Sequence, residues 1–322
     1  MHPAVINFAF AVLPTVIFFS ALMAVLYHMG LMQKIIRFVA LIMQKTMKTS
    51  GPETTSISAN IFVGQTEAPL VIKPFVSKMT KSELMAVMTG GFATVAGGVM
   101  AIYVGILENI PGIAGHLMAA SIMSAPAALV IAKIIYPEIE TNNLNENIDL
   151  NDISNEGNVL EALGNGATDG LKLAANIAAM LIAFVALISL SNYILSIFGT
   201  SLESIFGYIF MPLAFLMGAP WSESHILGSL LGQKIVLTEL IAYMNLSAME
   251  IGGANGISEK TAILASYALC GFANFASIGI QLGGIGSIAP DRKKDLAKLV
   301  TKAMFGGALA SWLTATIAGI LI

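Results

Sequence analysis

The sequence predicts an all-α integral membrane protein with about six membrane-spanning helices and two re-entrant helical hairpins that enter from opposite sides. Three observations carry this reading. The chain has 322 residues, 56% hydrophobic and only 11% charged, with a mean hydropathy of +0.81; soluble domains carry about 25% charged residues. Uncharged runs long enough for a bilayer core recur at 3–33, 84–107, 109–132, 173–202, 261–290 and 303–322, where a span needs about 20 apolar residues. Finally, the basic residues cluster between these runs instead of being spread along the chain.

Those basic residues set the topology. Lys34, Arg37, Lys45 and Lys48 follow the first run, and Lys73, Lys78 and Lys81 precede the second. Lys133 and Lys172 flank a long polar segment, and Arg292, Lys293, Lys294, Lys298 and Lys302 separate the last two runs. The positive-inside rule makes these loops cytoplasmic, which leaves Lys234 and Lys260 for the outside and predicts both termini outside a plasma (inner) membrane. The uncharged stretch 3–33 is too long for the apolar region of a signal peptide and is expected to be a first span.

The mostly apolar segment between 48 and 73 therefore begins and ends on one side. Two crossings would need about 40 residues, so it predicts a re-entrant hairpin over 50–77 with "GQTE" at its tip. Irregular backbone at membrane depth survives only where protein or a watery cavity surrounds it, so this tip is expected to line a cavity. By the same reasoning 204–249 forms an outer hairpin, centred on "GAPWSES".

Two further segments support a duplicated plan. "GGFATVAGG" (90–98) follows the first hairpin and "CGFANFASIG" (270–279) the second, each after a Ser-Glu helix start. Inverted repeats with broken helices around a midplane site are the plan of secondary transporters. The expected organisation is a scaffold helix and interfacial helix over 1–48 and a first repeat over 49–136 with spans 84–107 and 109–132. An acidic cytoplasmic loop over 137–170, disordered or weakly helical near 158–163, and a scaffold helix over 171–202 follow. A second repeat occupies 203–322, with spans 261–290 and 303–322.

Polar groups inside a membrane mark substrate, ion or proton paths. Gln65, Thr66 and Glu67 offer an amide, a hydroxyl and a carboxylate, which suit a planar heterocycle with mixed donors and acceptors; a hairpin closed by its own hydrogen bonds is the competing reading. Glu223 as a carboxylate suits a pair of hydroxyls, as on a sugar, or caps the helix that starts beside it. Asn274 and Ser277, three apart, share a face if helix persists there, with Phe272 nearby; otherwise the Gly-Phe-Ala-Asn run unwinds and offers backbone groups, and helix packing is the further alternative. Asn60 and Thr94, with backbone carbonyls, form an oxygen-only set suited to a hard cation, or a packing hydrogen bond. One cysteine, Cys270, and four scattered histidines exclude an internal disulfide and a Cys/His metal centre. No phosphate loop, nucleophile elbow or nucleic-acid patch is present, so the chain is not expected to be an enzyme, to hold an organic cofactor or to bind nucleic acid.

In order along the chain, "NIFVGQTEAPLVIKPF", "MTKSELMAVMTGGFATVAGG", "PWSES" and "ALCGFANFASIGIQLGGIGSIAP" resemble the signature segments of the concentrative nucleoside transporter family. The resemblance implies a homotrimer in the lipid bilayer that moves nucleosides such as uridine by an elevator-like mechanism, coupled to a cation, sodium or else a proton. It implies that Gln65, Thr66 and Glu67 contact the base and that Glu223, Asn274 and Ser277 hold the ribose beside Phe272. Asn60 and Thr94, with the carbonyls of Val63 and Val95, would match the sodium site. Three departures accompany it. The chain starts where family members already have about two further helices, so these are expected to be lacking. Ser222 stands where Asn is common, and "LTEL" (237–240) replaces Asn-Glu-Phe while Glu239 keeps the carboxylate. A passive pore lined by the hairpins, an intramembrane enzyme using Glu67 and Glu223 as an acid–base pair, and a non-transporting member are the other classes the residues leave open.

Overall fold

A computed structural model describes residues 13–140, 157–253 and 256–322, and these are helical almost throughout. The part of the first span before residue 13 and most of the acidic loop, 141–156, lie outside the described residues.

The first half opens with α1 (Leu13–His28) and α2 (Leu31–Met47), bent by 79° at Gly30, whose φ of 73° suits a residue without Cβ. Next come α3 (Gly51–Asn60), two single turns α4 (Ala68–Val71) and α5 (Lys73–Val76), α6 (Lys81–Ala93), α7 (Gly97–Ile106) and α8 (Ile113–Ile135). The prolines at the first turns of α4 and α5 start helices but cannot continue one. This is why "TEAPLVIKPF" returns as short pieces and not as a smooth arm.

The second half repeats the order. After the long α9 (Val159–Ser196) come α10 (Leu202–Leu216), α11 (Trp221–Val236), α12 (Glu239–Ser247), α13 (Glu259–Leu269), α14 (Phe275–Ile288) and α15 (Lys293–Leu321). Three described helical segments are long and apolar enough to cross a membrane, or five if each of the two bent pairs counts as one span. α9, with 38 residues, is about 57 Å long.

Both repeat segments interrupt helices. The run 84–107, expected as one span, is broken at Thr94–Ala96 between α6 and α7, and the run 261–290 is broken at Cys270–Asn274 between α13 and α14. Gly271 brings the two breaks together. Its φ is +105°, and a Cβ there would stand 2.6 Å from the carbonyl oxygen of Ala93. Helix starts are capped in both halves: Thr80 and Glu83 exchange hydrogen bonds at the head of α6, and Ser258 accepts from Thr261 N at the head of α13.

Two expected boundaries shift. The acidic segment reads as loop with weak helix near 158–163, yet the helix that begins at Val159, with Asn158 accepting from Glu161 N as N-cap, runs unbroken through "GNGATDG" into α9. Two of its three glycines are contact points: a Cβ on Gly166 would meet Ala24 and the backbone of Ala21, and one on Gly170 would meet Ile17 Cα. Small residues four apart allow such close helix approach in membranes. The last helix starts at Lys293 instead of 303, running straight through the basic cluster.

Candidate substrate and cation site

A cavity of about 840 Å³ lies where the hairpin after α3 meets the two breaks, a size within the range for small-molecule sites. Gln65, Thr66 and Glu67 line it from the first half, and Phe272, Asn274 and Ser277 from the second. Six of the seven substrate-site residues named from sequence thus line one cavity. Gln65 is buried with its Oε1 unpartnered, whereas Glu67 is exposed to the cavity space.

Asn274 and Ser277 do not share a helical face as the spacing suggests. Asn274 has extended backbone and caps α14, its Oδ1 accepting from Ser277 N at 2.8 Å. The cap leaves Asn274 Nδ2 free to donate to Glu239 Oε2 at 2.7 Å. Tyr103 on α7 donates its hydroxyl to Glu239 Oε1, also at 2.7 Å. Glu239 is only 5% exposed, and Tyr103, Thr238 and Glu239 all line the cavity.

Glu223 is placed differently from expectation. The bend at Gly218–Pro220 is present, with α10 and α11 meeting at 118°. But the Glu223 carboxylate accepts from the backbone N of Ser258 at 3.1 Å and from its hydroxyl at 2.8 Å, and it does not line the cavity. It therefore secures the start of α13, a helix other than the one expected from sequence: α11, which starts beside Glu223, has Pro220 at its N-cap and no side-chain cap. The turn that reaches the cavity lies 14–15 residues later, at Leu237–Thr238 between α11 and α12. The available signal was "LTEL": a helix-capping threonine followed by a carboxylate inside an apolar run. Tyr103 had no comparable signal, because one tyrosine on an apolar helix does not announce its partner.

The four residues expected to bind a cation lie on two elements that touch, the hairpin after α3 and the break between α6 and α7. Asn60 ends α3 with both side-chain amide atoms buried and unpartnered, an expensive arrangement unless something binds there. Thr94 Oγ1 donates to Gly90 O at 3.0 Å, which leaves its oxygen lone pairs available. Val63 is on the cavity wall, and Thr94 and Val95 are buried at the break in the other element. Gly97 N donates to Phe62 O at 3.0 Å, tying the hairpin tip to that break. Amide, hydroxyl and carbonyl oxygens without a carboxylate fit a monovalent hard cation. Among the described residues there is no group of three or more His, Cys, Asp or Glu able to hold a metal ion.

Known proteins share the sequence and the fold of this chain. The family described as Na+ dependent nucleoside transporter C-terminus matches residues 116–319, and one described as nucleoside recognition matches residues 9–109. The chain is similar to the uncharacterized transporter YutK of Bacillus subtilis, at 47% identity over 98% of this chain and 78% of that protein. It is similar to sodium/nucleoside cotransporter 1 of Rattus norvegicus, at 46% identity over 98% of this chain and 51% of the rat protein. It thus spans about half the length of that mammalian relative. Among solved structures it resembles CNTnw in an inward-facing substrate-bound state, with a TM-score of 0.90 and 44% identity over 96% of this chain and 74% of that one. An outward-facing CNTnw variant is equally similar in TM-score, at 43% identity.

Proposed function

The chain belongs to the sodium-dependent nucleoside transporter family, and from that premise we propose that it takes up nucleosides by sodium-coupled alternating access, as a homotrimer in the plasma membrane. The observation that carries this is the meeting, at one cavity, of the Gln65–Glu67 tip with the Glu239–Asn274 pair from the other half. A nucleoside has the two faces such a cavity matches. Its base edge carries mixed donors and acceptors, complementary to the amide of Gln65, the hydroxyl of Thr66 and the carboxylate of Glu67. Its ribose carries neighbouring hydroxyls, which donate well to a carboxylate. Glu239 takes the ribose role that the sequence assigned to Glu223. Each of its oxygens accepts one protein hydrogen bond and keeps capacity for another. Asn274 and Ser277 flank it, and Phe272 gives the substrate an apolar neighbour.

Coupling follows from where the cation ligands come from. Asn60 and the Val63 carbonyl belong to the hairpin, whereas Thr94 and the Val95 carbonyl belong to the broken helix. A sodium ion held between them joins the two elements and orders the tip that carries Gln65, Thr66 and Glu67. Substrate then meets a site whose ordering the ion has already favoured, which is positive coupling between two ligands. The domains keep the proposed division: α1 and α9, packed through Gly166 and Gly170, act as scaffold, while the hairpins and broken helices move as an elevator-like unit.

The test is radiolabelled uridine uptake into proteoliposomes. Accumulation above the outside concentration under an inward sodium gradient, lost when that gradient is collapsed, is the expected result. Flux that only equilibrates reassigns the chain to a passive pore, and accumulation driven by a proton gradient alone reassigns the coupling ion.

A further inference from the structure

Lys234 has no part in the chemistry above, and counting charges places it in an outside loop. It is instead completely buried on α11, the arm leading to the Thr238–Glu239 turn. Its Nζ donates to three oxygens: Ser311 Oγ on α15 at 2.7 Å, Ala268 O at 2.9 Å and Cys270 O at 3.0 Å. Three donors meet three acceptors, the full capacity of an ammonium. Among the described residues it forms no ion pair. A buried, unpaired cation in a membrane protein is costly to keep, so its partners indicate its purpose.

Two of these partners are carbonyls where α13 gives way to the break: Ala268 in its last turn and Cys270, its C-cap and the first residue of the break. Helix ends leave such carbonyls without intrahelical donors and carry partial negative charge. Aligning Gly91 with Gly271 makes Met88 and Gly90 the counterparts of Ala268 and Cys270. In the first half the equivalent carbonyls are served by neutral groups: Met88 O accepts from Gln281 Nε2 at 3.0 Å, and Gly90 O from Thr94 Oγ1 at 3.0 Å. The same two backbone positions thus receive two neutral donors in one half and a single charge in the other.

We propose that Lys234 is a positioning residue, a tethered cation that locks the end of α13 to α11 and α15 and so fixes Phe272 and Asn274 in the cavity. The second half of the site is thereby set without a free ion, and the Glu239 turn and the Asn274 break stay in register whether or not sodium is bound. Only the first half then depends on sodium for its order. This inference rests on the nucleoside-transport reading for its effect on substrate.

Backbone hydrogen exchange read by mass spectrometry, together with uridine uptake at saturating sodium, tests it on the full chain. In the unmodified protein, sodium slows exchange around 94–97 and leaves 270–275 unchanged. Lys234→Met speeds exchange at 270–275 about tenfold, leaves 94–97 unchanged and raises half-saturating uridine about tenfold, with half-saturating sodium unmoved. Ser311→Ala keeps the charge and removes one acceptor, and gives a rise of about threefold; it carries the test if Lys234→Met does not fold. Unchanged exchange at 270–275 in the variants, or acceleration spread evenly over all helices, overturns the positioning role. Failure of the unmodified protein to accumulate uridine overturns the transport reading instead, while the exchange pattern still judges Lys234.

Discussion

Asn274 Nδ2 and Glu239 Oε2 meet at 2.7 Å, joining a broken helix to a hairpin turn 35 residues earlier in the chain. Tyr103, from the other half, holds the second carboxylate oxygen. A carboxylate fixed from both sides is preorganised to receive hydroxyls. Hydrogen bonds to a charged group contribute about 1.5–3 kcal/mol each. Glu239→Gln keeps the shape but loses the charge, and is expected to lower uridine uptake about 100-fold at unchanged surface expression. Uptake within a few-fold of the unmodified protein would remove Glu239 from the substrate site.

Glu223→Gln makes the opposite prediction. Its partners are the backbone and hydroxyl of Ser258, not the cavity, and an amide oxygen can still accept from both. Uridine uptake should stay within about threefold, while the melting temperature falls in line with a loss of about 1 kcal/mol at the helix start. A severe loss of uptake without loss of stability would return Glu223 to the ligand role.

The contrast between these two glutamates shows what sequence reveals and what it hides. Charge placement, run lengths and a repeated motif exposed the membrane class, the "GQTE" tip and the duplicated plan, because each is a one-dimensional pattern; the breaks at Thr94–Ala96 and Cys270–Asn274 fall inside runs that read as continuous spans. Choosing between Glu223 and Glu239 is a three-dimensional question. Both follow capping chemistry, and only packing shows that one turns back to Ser258 while the other enters the cavity. Lys234 misleads for the same reason: topology rules count its charge but cannot see three oxygens waiting for it in the interior. "GNGATDG" is legible as flexible only while its neighbour α1 is unknown.

That last segment supplies a stability prediction. Gly170 lies against Ile17 Cα and Ser20 Cβ of α1 at distances that leave no room for a side chain. Gly170→Leu forces α1 and α9 apart, and overpacking of this kind costs about 1–3 kcal/mol. Thermal unfolding in detergent should show a lowered transition. An unchanged transition would mean that α9 does not pack on α1 through this face.

Asn60→Ala tests the cation site without touching the cavity wall. Both amide atoms of Asn60 are buried and unpartnered, so their removal relieves an unsatisfied pair when sodium is absent and deletes a ligand when it is present. Half-saturating sodium for uridine uptake is expected to rise about tenfold, with fold stability retained or slightly increased. An unchanged sodium response would move the coupling ion elsewhere.

Gly271→Ala addresses the contact between the breaks themselves. The φ of +105° is one that side chains rarely adopt, and the new methyl would stand 2.6 Å from Ala93 O and 2.8 Å from Phe92 O. Backbone strain costs about 1–2 kcal/mol, and the neighbour is main chain at the break behind the cation site, so it cannot yield as a flexible side chain would. Relief requires the two breaks to separate, which would displace Thr94 and Val95 from Asn60 as well as Asn274 from Glu239. The expected outcome is therefore a joint defect, with half-saturating uridine and half-saturating sodium both raised about tenfold or more. Lys234→Met, by contrast, should affect uridine alone. If Gly271→Ala raised the uridine requirement and left the sodium response intact, the two breaks would not be mechanically linked through this contact.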